Sequence, residues 1–124
     1  MSQLDIKIPA HLRERSISNR EIVLPLAEAL EAIDYLEQQS LLILGWEGWV
    51  KTAEGRVGHG SAGYLSTFTE HLSVAEAAAD ARETIQAGAL DWQQKYGGST
   101  DALYFCITVR PNNSFKPKPL RGSA

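Results

Sequence analysis

The sequence predicts an α+β fold: a two-layer protein in which a four-stranded, mostly antiparallel sheet carries two helices on one face. Three observations lead there. Two segments repeat apolar residues at three- and four-residue steps, as amphipathic helices do. The stretches between and after them are dense in aliphatic, β-branched and aromatic residues, as strands are. Their order, strand–helix–strand–strand–helix–strand (βαββαβ), suits a split βαβ arrangement with both helices on the same side. The 124 residues fit one domain over 1–109, followed by a flexible, basic, proline-rich tail over 110–124.

Taken in order, Leu4, Ile6 and Ile8 alternate up to Pro9, which predicts a short edge strand and then a charged loop or turn through Arg20. Pro25 suits a first helical position. Leu26, Leu30, Ile33 and then Leu36 or Glu37 follow at helical spacing, with Glu28, Glu31 and Asp34 on the solvent side, so a helix is expected over 25–39. The run LLILGWEGWVKT predicts a largely buried strand, and AEGR a hairpin turn in which Gly55 takes a positive φ. A weaker strand is expected over 63–69, beyond a glycine-rich approach.

Ser73 and Glu76 have the spacing of a capping box, which opens a long helix ending at Gly97–Gly98. The last strand, ALYFCITVR, alternates Leu103, Phe105, Ile107 and Val109 on one face with Tyr104, Cys106 and Thr108 on the other. The second set is expected to line an open sheet face, together with residues of the tryptophan strand.

Composition narrows the function classes. No run on the order of 18 apolar residues is present, so a membrane span is excluded. The N-terminus lacks the apolar run of a secretory signal, and a single cysteine cannot form an internal disulfide, which makes a reducing cytoplasm the expected compartment. Residues 1–109 hold eight Lys and Arg against all fifteen Asp and Glu, a net charge of −7 that the four basic residues from Arg110 onward partly mask. Such a body is poorly suited to a phosphate backbone and better suited to a basic protein partner.

The candidate site is GWEGW. Trp46 and Trp49, three apart on a strand, point to opposite faces, so at most one is expected fully in the core unless a bulge at Gly45 or Gly48 intervenes. Glu47 between them has three open readings: a recognition acid, a general base, or a solvent-facing residue of a half-exposed strand. His59, in the glycine-rich loop, is a contact residue, an acid–base group or an ordinary loop histidine. Together with Tyr104 these form the expected partner-binding set. Cys106 sits mid-strand and reads as a small hydrophobe rather than as a nucleophile for His59. No metal-ligand spacing, P-loop or dinucleotide fingerprint is present, so no metal or cofactor is expected.

The succession of an EALEAIDYLEQ helix, ILGWEGWVK, EGRVGHG, a second helix ending in a tryptophan, and ALYFCITV resembles small bacterial immunity proteins of polymorphic toxin systems. It extends over about residues 21–109, and GWEGW and LYFCITV are its specific pieces. The resemblance implies a stoichiometric inhibitor that binds a cognate toxin domain with acidic side chains; it transfers no catalytic residues. Two other classes stand beside it: a small enzyme or ligand-binding domain using Glu47 and His59 in a pocket, and an assembly module whose open sheet face is buried by self-association, so that the protein is expected as monomer or homodimer.

Overall fold

The computed structural model describes residues 8–58, 64–66 and 69–110. Among the described residues, seven elements run in the order α1 (Ala10–Arg15), β1 (Ile22–Leu24), α2 (Leu26–Gln38), β2 (Ile43–Lys51), β3 (Val57–Gly58), α3 (Val74–Tyr96) and β4 (Ala102–Val109). This is the expected α+β class and βαββαβ order, with one short helix added at the front.

The start of the chain is where expectation and structure part. Leu4 and Ile6 lie outside the described residues, and Ile8 is not in a strand but packs half-buried against the main core. The opening strand is instead Ile22–Leu24, three residues that fit between a charged loop and Pro25. A run this short carries no readable periodicity, and its burial comes entirely from its neighbours. The charged stretch expected as loop begins with α1, entered at Pro9, whose fixed φ of −54° suits the residue before a first turn. α1 contributes Leu12 to the core.

All four strands pair antiparallel in the order β1-β4-β2-β3. Each βαβ connection is therefore split by an inserted strand: β4 separates β1 from β2, and β2 separates β3 from β4. Glycine makes the β2–β3 turn possible, since Gly55 has a φ of +91° that a side chain would oppose. The strand expected over 63–69 is represented among the described residues by Tyr64–Ser66, which run beside β2: Gly48 N–H donates to Tyr64 O at 2.6 Å and Ser66 N–H to Trp46 O at 3.1 Å. Gly48 permits this approach, because a Cβ there would lie 2.8 Å from Tyr64 Cβ.

Both long helices lie on one face of the sheet. Ala29, Ala32, Ile33 and Leu36 of α2 and Ala78, Ala81 and Ile85 of α3 share one core with Ile22, Leu24, Ile43, Trp46, Phe105, Ile107 and Val109. The start of α3 meets the core through small side chains, Ala77, Ala78 and Ala81 being buried. The capping box is complete: Glu76 N–H donates to Ser73 Oγ at 3.1 Å, and Ser73 N–H to Glu76 Oε1 at 3.0 Å. The bond from the Ser73 backbone holds the Glu76 carboxyl below its ordinary range. Arg110, expected to begin the tail, is still tied in, its N–H donating to Leu42 O at 2.9 Å. Residues 111–124 lie outside the described residues.

Candidate partner-binding face

Alternation along β1, β4 and β2 sorts side chains to the two faces of the sheet, and the face away from the helices is the candidate site. Register places Val23 beside Cys106, Cys106 beside Glu47, and Trp49 beside Tyr104. Val23, Cys106 and Trp49 form a second, smaller buried cluster, with Ile17 and Tyr104 packed against it. Tyr104 is half-buried there, as expected for the open face.

Trp46 is not part of this face. It is 6% exposed, lies in the core under α3, meets Phe105 edge-on with ring centroids 5.3 Å apart, and donates its indole N–H to Thr84 Oγ1 at 2.8 Å. Only Trp46 belongs to the main core, yet both tryptophans are buried. Trp49 is 5% exposed, covered within the outer cluster. The two do point to opposite faces, and the only register shift of β2 against β4 comes earlier, between Ile43 and Gly45, so it leaves their alternation intact.

Glu47 is the polar centre of the outer face. Its Oε2 accepts the Trp49 indole N–H at 2.9 Å, an i,i+2 bond that alternation makes possible. Glu21, which the sequence reading did not single out, joins it from the other side: its Oε1 lies 3.5 Å from Cys106 Sγ. Only the pairing of β1 with β4 brings Glu21 there, so local pattern carried no signal for it. Burial first, then the negative charges of Glu21 and Glu47, push the Cys106 thiol well above its ordinary range. It therefore stays a protonated small hydrophobe, as its place in the strand suggested, and is a poor nucleophile. His59 lies outside the described residues.

The carboxylates of α2, expected on a solvent face, are engaged between helices. Arg82 of α3 donates to Asp34 at 2.8 Å and also to Glu37, Arg15 lies 3.5 Å from Glu28, and His11 contacts Glu31. On the outer sheet face, by contrast, Glu21 and Glu47 enter none of the ion pairs found among the described residues. The edge of β1 is closed as well: Ser16 Oγ accepts from Val23 N–H at 3.0 Å, and Ile17 N–H donates to Val23 O at 3.0 Å. That local turn occupies groups another strand could otherwise use, so this edge presents side chains rather than a free strand edge.

Among the described residues, no group of three or more His, Cys, Asp or Glu is placed to hold a metal ion, and no helix is long and apolar enough to cross a membrane. A scan against protein-family models, a search of curated proteins and a search of solved structures each give no match.

Proposed function

We propose that the chain is an immunity-type protein that binds a cognate bacterial toxin domain in the cytoplasm and blocks it by stoichiometric contact through the outer face of the sheet. The division of its carboxylates carries this reading. Those of α2 are committed to neighbouring helices, while Glu21 and Glu47 flank Cys106 on the outer face without an ion pair among the described residues. The half-buried Tyr104 supplies aromatic surface of the kind interfaces use, and the buried Trp49 orients Glu47 from behind. The net charge of −7 over residues 1–109 favours fast association with a basic partner. A toxin that acts on nucleic acid fits that description, since it must approach phosphates.

The test is co-expression with the C-terminal domain of a large toxin-like protein encoded immediately upstream. Restored growth and a 1:1 complex, weakened at least tenfold by Glu21→Gln with Glu47→Gln, are expected. Continued killing and no complex at micromolar concentration would sink the reading.

One observation favours a second reading, an assembly module. Leu90 is 59% exposed, Tyr96 44% and Leu26 37%, and the two leucines border a groove of about 460 Å³ with Trp92 and Leu103. Self-association across this helix side would cover them. Sedimentation that finds only monomer at micromolar concentration would rule it out.

A further inference from the structure

The layer of side chains on the outer face has a gap. Gly45, just past the bulge in β2, lies across from Thr108 and contributes no side chain. Between Thr108, Glu47 and Leu65 this leaves a depression of about 330 Å³, floored by the backbone of Gly45 and Trp46 and walled on the apolar side by Leu44 and Leu65. Leu65 is held there by its bridge to Glu47 yet stays 60% exposed, the most open of the large apolar side chains among the described residues. The polar groups are the Glu47 carboxylate and the hydroxyls of Thr108 and Ser66. Ser66 Oγ already accepts from Trp46 N–H at 2.9 Å and Glu47 Oε2 from Trp49, while Glu47 Oε1 and the Thr108 hydroxyl have no hydrogen bond among the described residues.

We propose that this depression is a socket for one arginine side chain of the protein partner, its aliphatic stem against Leu44 and Leu65 and its guanidinium on Glu47 and Thr108. The inference rests on the partner-binding reading above and names the chemistry that reading would recognise. Charge complementarity selects the occupant. The walls are apolar, the carboxylate enters no ion pair among the described residues, and the body around it is acidic. A neutral apolar side chain would leave Glu47 desolvated without a partner, which is costly. A long cationic one covers the apolar wall with its stem and presents its charge to the acid. Arginine is favoured over lysine because a planar guanidinium has five donors and reaches two acceptors at once. The space suits a single side chain rather than a helix or a folded loop.

The Trp49 indole N–H, bonded to Glu47, reports on occupancy, and the Trp46 indole N–H, bonded to Thr84 on the opposite face, serves as an internal control. Their ¹⁵N–¹H signals are followed while n-butylguanidinium, n-butylammonium or the neutral isostere n-butylurea is titrated into the full chain. The expected result is a saturable shift of the Trp49 signal by n-butylguanidinium, on the order of 10 mM for so small a fragment. The Trp46 signal should stay still, the response to n-butylammonium should be at least threefold weaker, and n-butylurea should have no effect. Glu47→Gln, which keeps the shape and an acceptor for Trp49, should abolish the response; Thr108→Val should weaken it severalfold. Equal movement of both indoles, an equal response to n-butylurea, or an undiminished response in Glu47→Gln would overturn the socket. The probe needs no toxin, so the two readings fail separately. A toxin domain that binds while the Trp49 signal ignores the guanidinium removes the socket alone, and a saturable signal without any toxin complex removes the immunity reading alone.

Discussion

Trp46 and Trp49 stand three residues apart on one strand, are buried almost equally at 6% and 5% exposure, and belong to different parts of the molecule. Trp46 faces the helices, and its indole N–H reaches Thr84, 38 residues away on α3. Trp49 faces outward, and its N–H turns back to Glu47 on its own strand. One indole joins two layers; the other orients a carboxylate. The difference teaches that burial alone does not distinguish a structural tryptophan from one that shapes a site, whereas the partner of its N–H does.

Truncation should break this symmetry most visibly. Trp46→Ala removes a ring from the large shared core and is expected to cost about 4 kcal/mol, as aromatic deletions in well-packed cores do. Trp49→Ala sits in a cluster with three buried members among the described residues and is expected to cost about 2 kcal/mol, the outer side being freer to rearrange. Urea denaturation of both proteins measures the pair. Equal losses would mean that the outer cluster is a second core and not a thin layer on the outer face of the sheet.

Gly48→Ala comes next. Its Cβ would meet Tyr64 Cβ at 2.8 Å and Tyr64 O at 3.3 Å, so either the strand or the Tyr64–Ser66 segment must shift. About 1–3 kcal/mol is expected, the ordinary cost of overpacking, with hydrogen exchange accelerated at Gly48 and Ser66. A neutral effect would show that this segment is held only loosely against β2.

The smallest effect belongs to the link between that segment and α3. Tyr64 O–H donates to Asp91 Oδ2 at 2.5 Å, and Lys95 lies 3.4 Å from the same carboxylate. The bond to Asp91 pushes the Tyr64 hydroxyl from 10.0 up to about 12. The same bond holds the Asp91 carboxyl below its usual 3.8. A raised phenol stabilises the fold fully below pH 10.0, and that contribution disappears as pH rises toward about 12. A lowered carboxyl stabilises above 3.8 and is lost as pH falls below it. Tyr64→Phe should therefore lower stability modestly across neutral pH and flatten both the alkaline and the acid arms, so that the two profiles converge at the extremes. Asp91 is still 42% exposed, which keeps the change modest. Parallel profiles for the two proteins would remove the link.

Legibility in the sequence followed the range of the interaction. The capping box at Ser73–Glu76, the turn at Gly55 and the alternation of β4 were readable because each is decided within a few residues. Alternation also put Tyr104 and Cys106 on the outer face correctly. β1 was not readable: Ile22, Val23 and Leu24 show no periodicity of their own and are buried from both sides by other elements. The candidate site was half legible. GWEGW makes Glu47 legible, but it carries no sign that α3 covers Trp46, and no local pattern marks Glu21, which reaches Cys106 across 85 residues of chain.

The chain's own residues thus determined two amphipathic helices, a strand that alternates through Phe105 and Ile107, and an acidic body, because propensity, periodicity and charge are local or summed properties. Only the tertiary structure decided which face of β2 the helices would cover, which acids would be engaged by Arg82, Arg15 and His11, and which would be left facing outward. The physical reason is the strand order. Placing β4 between β1 and β2 brings Glu21 and Glu47 to either side of one thiol, and no spacing within the sequence encodes that neighbourhood.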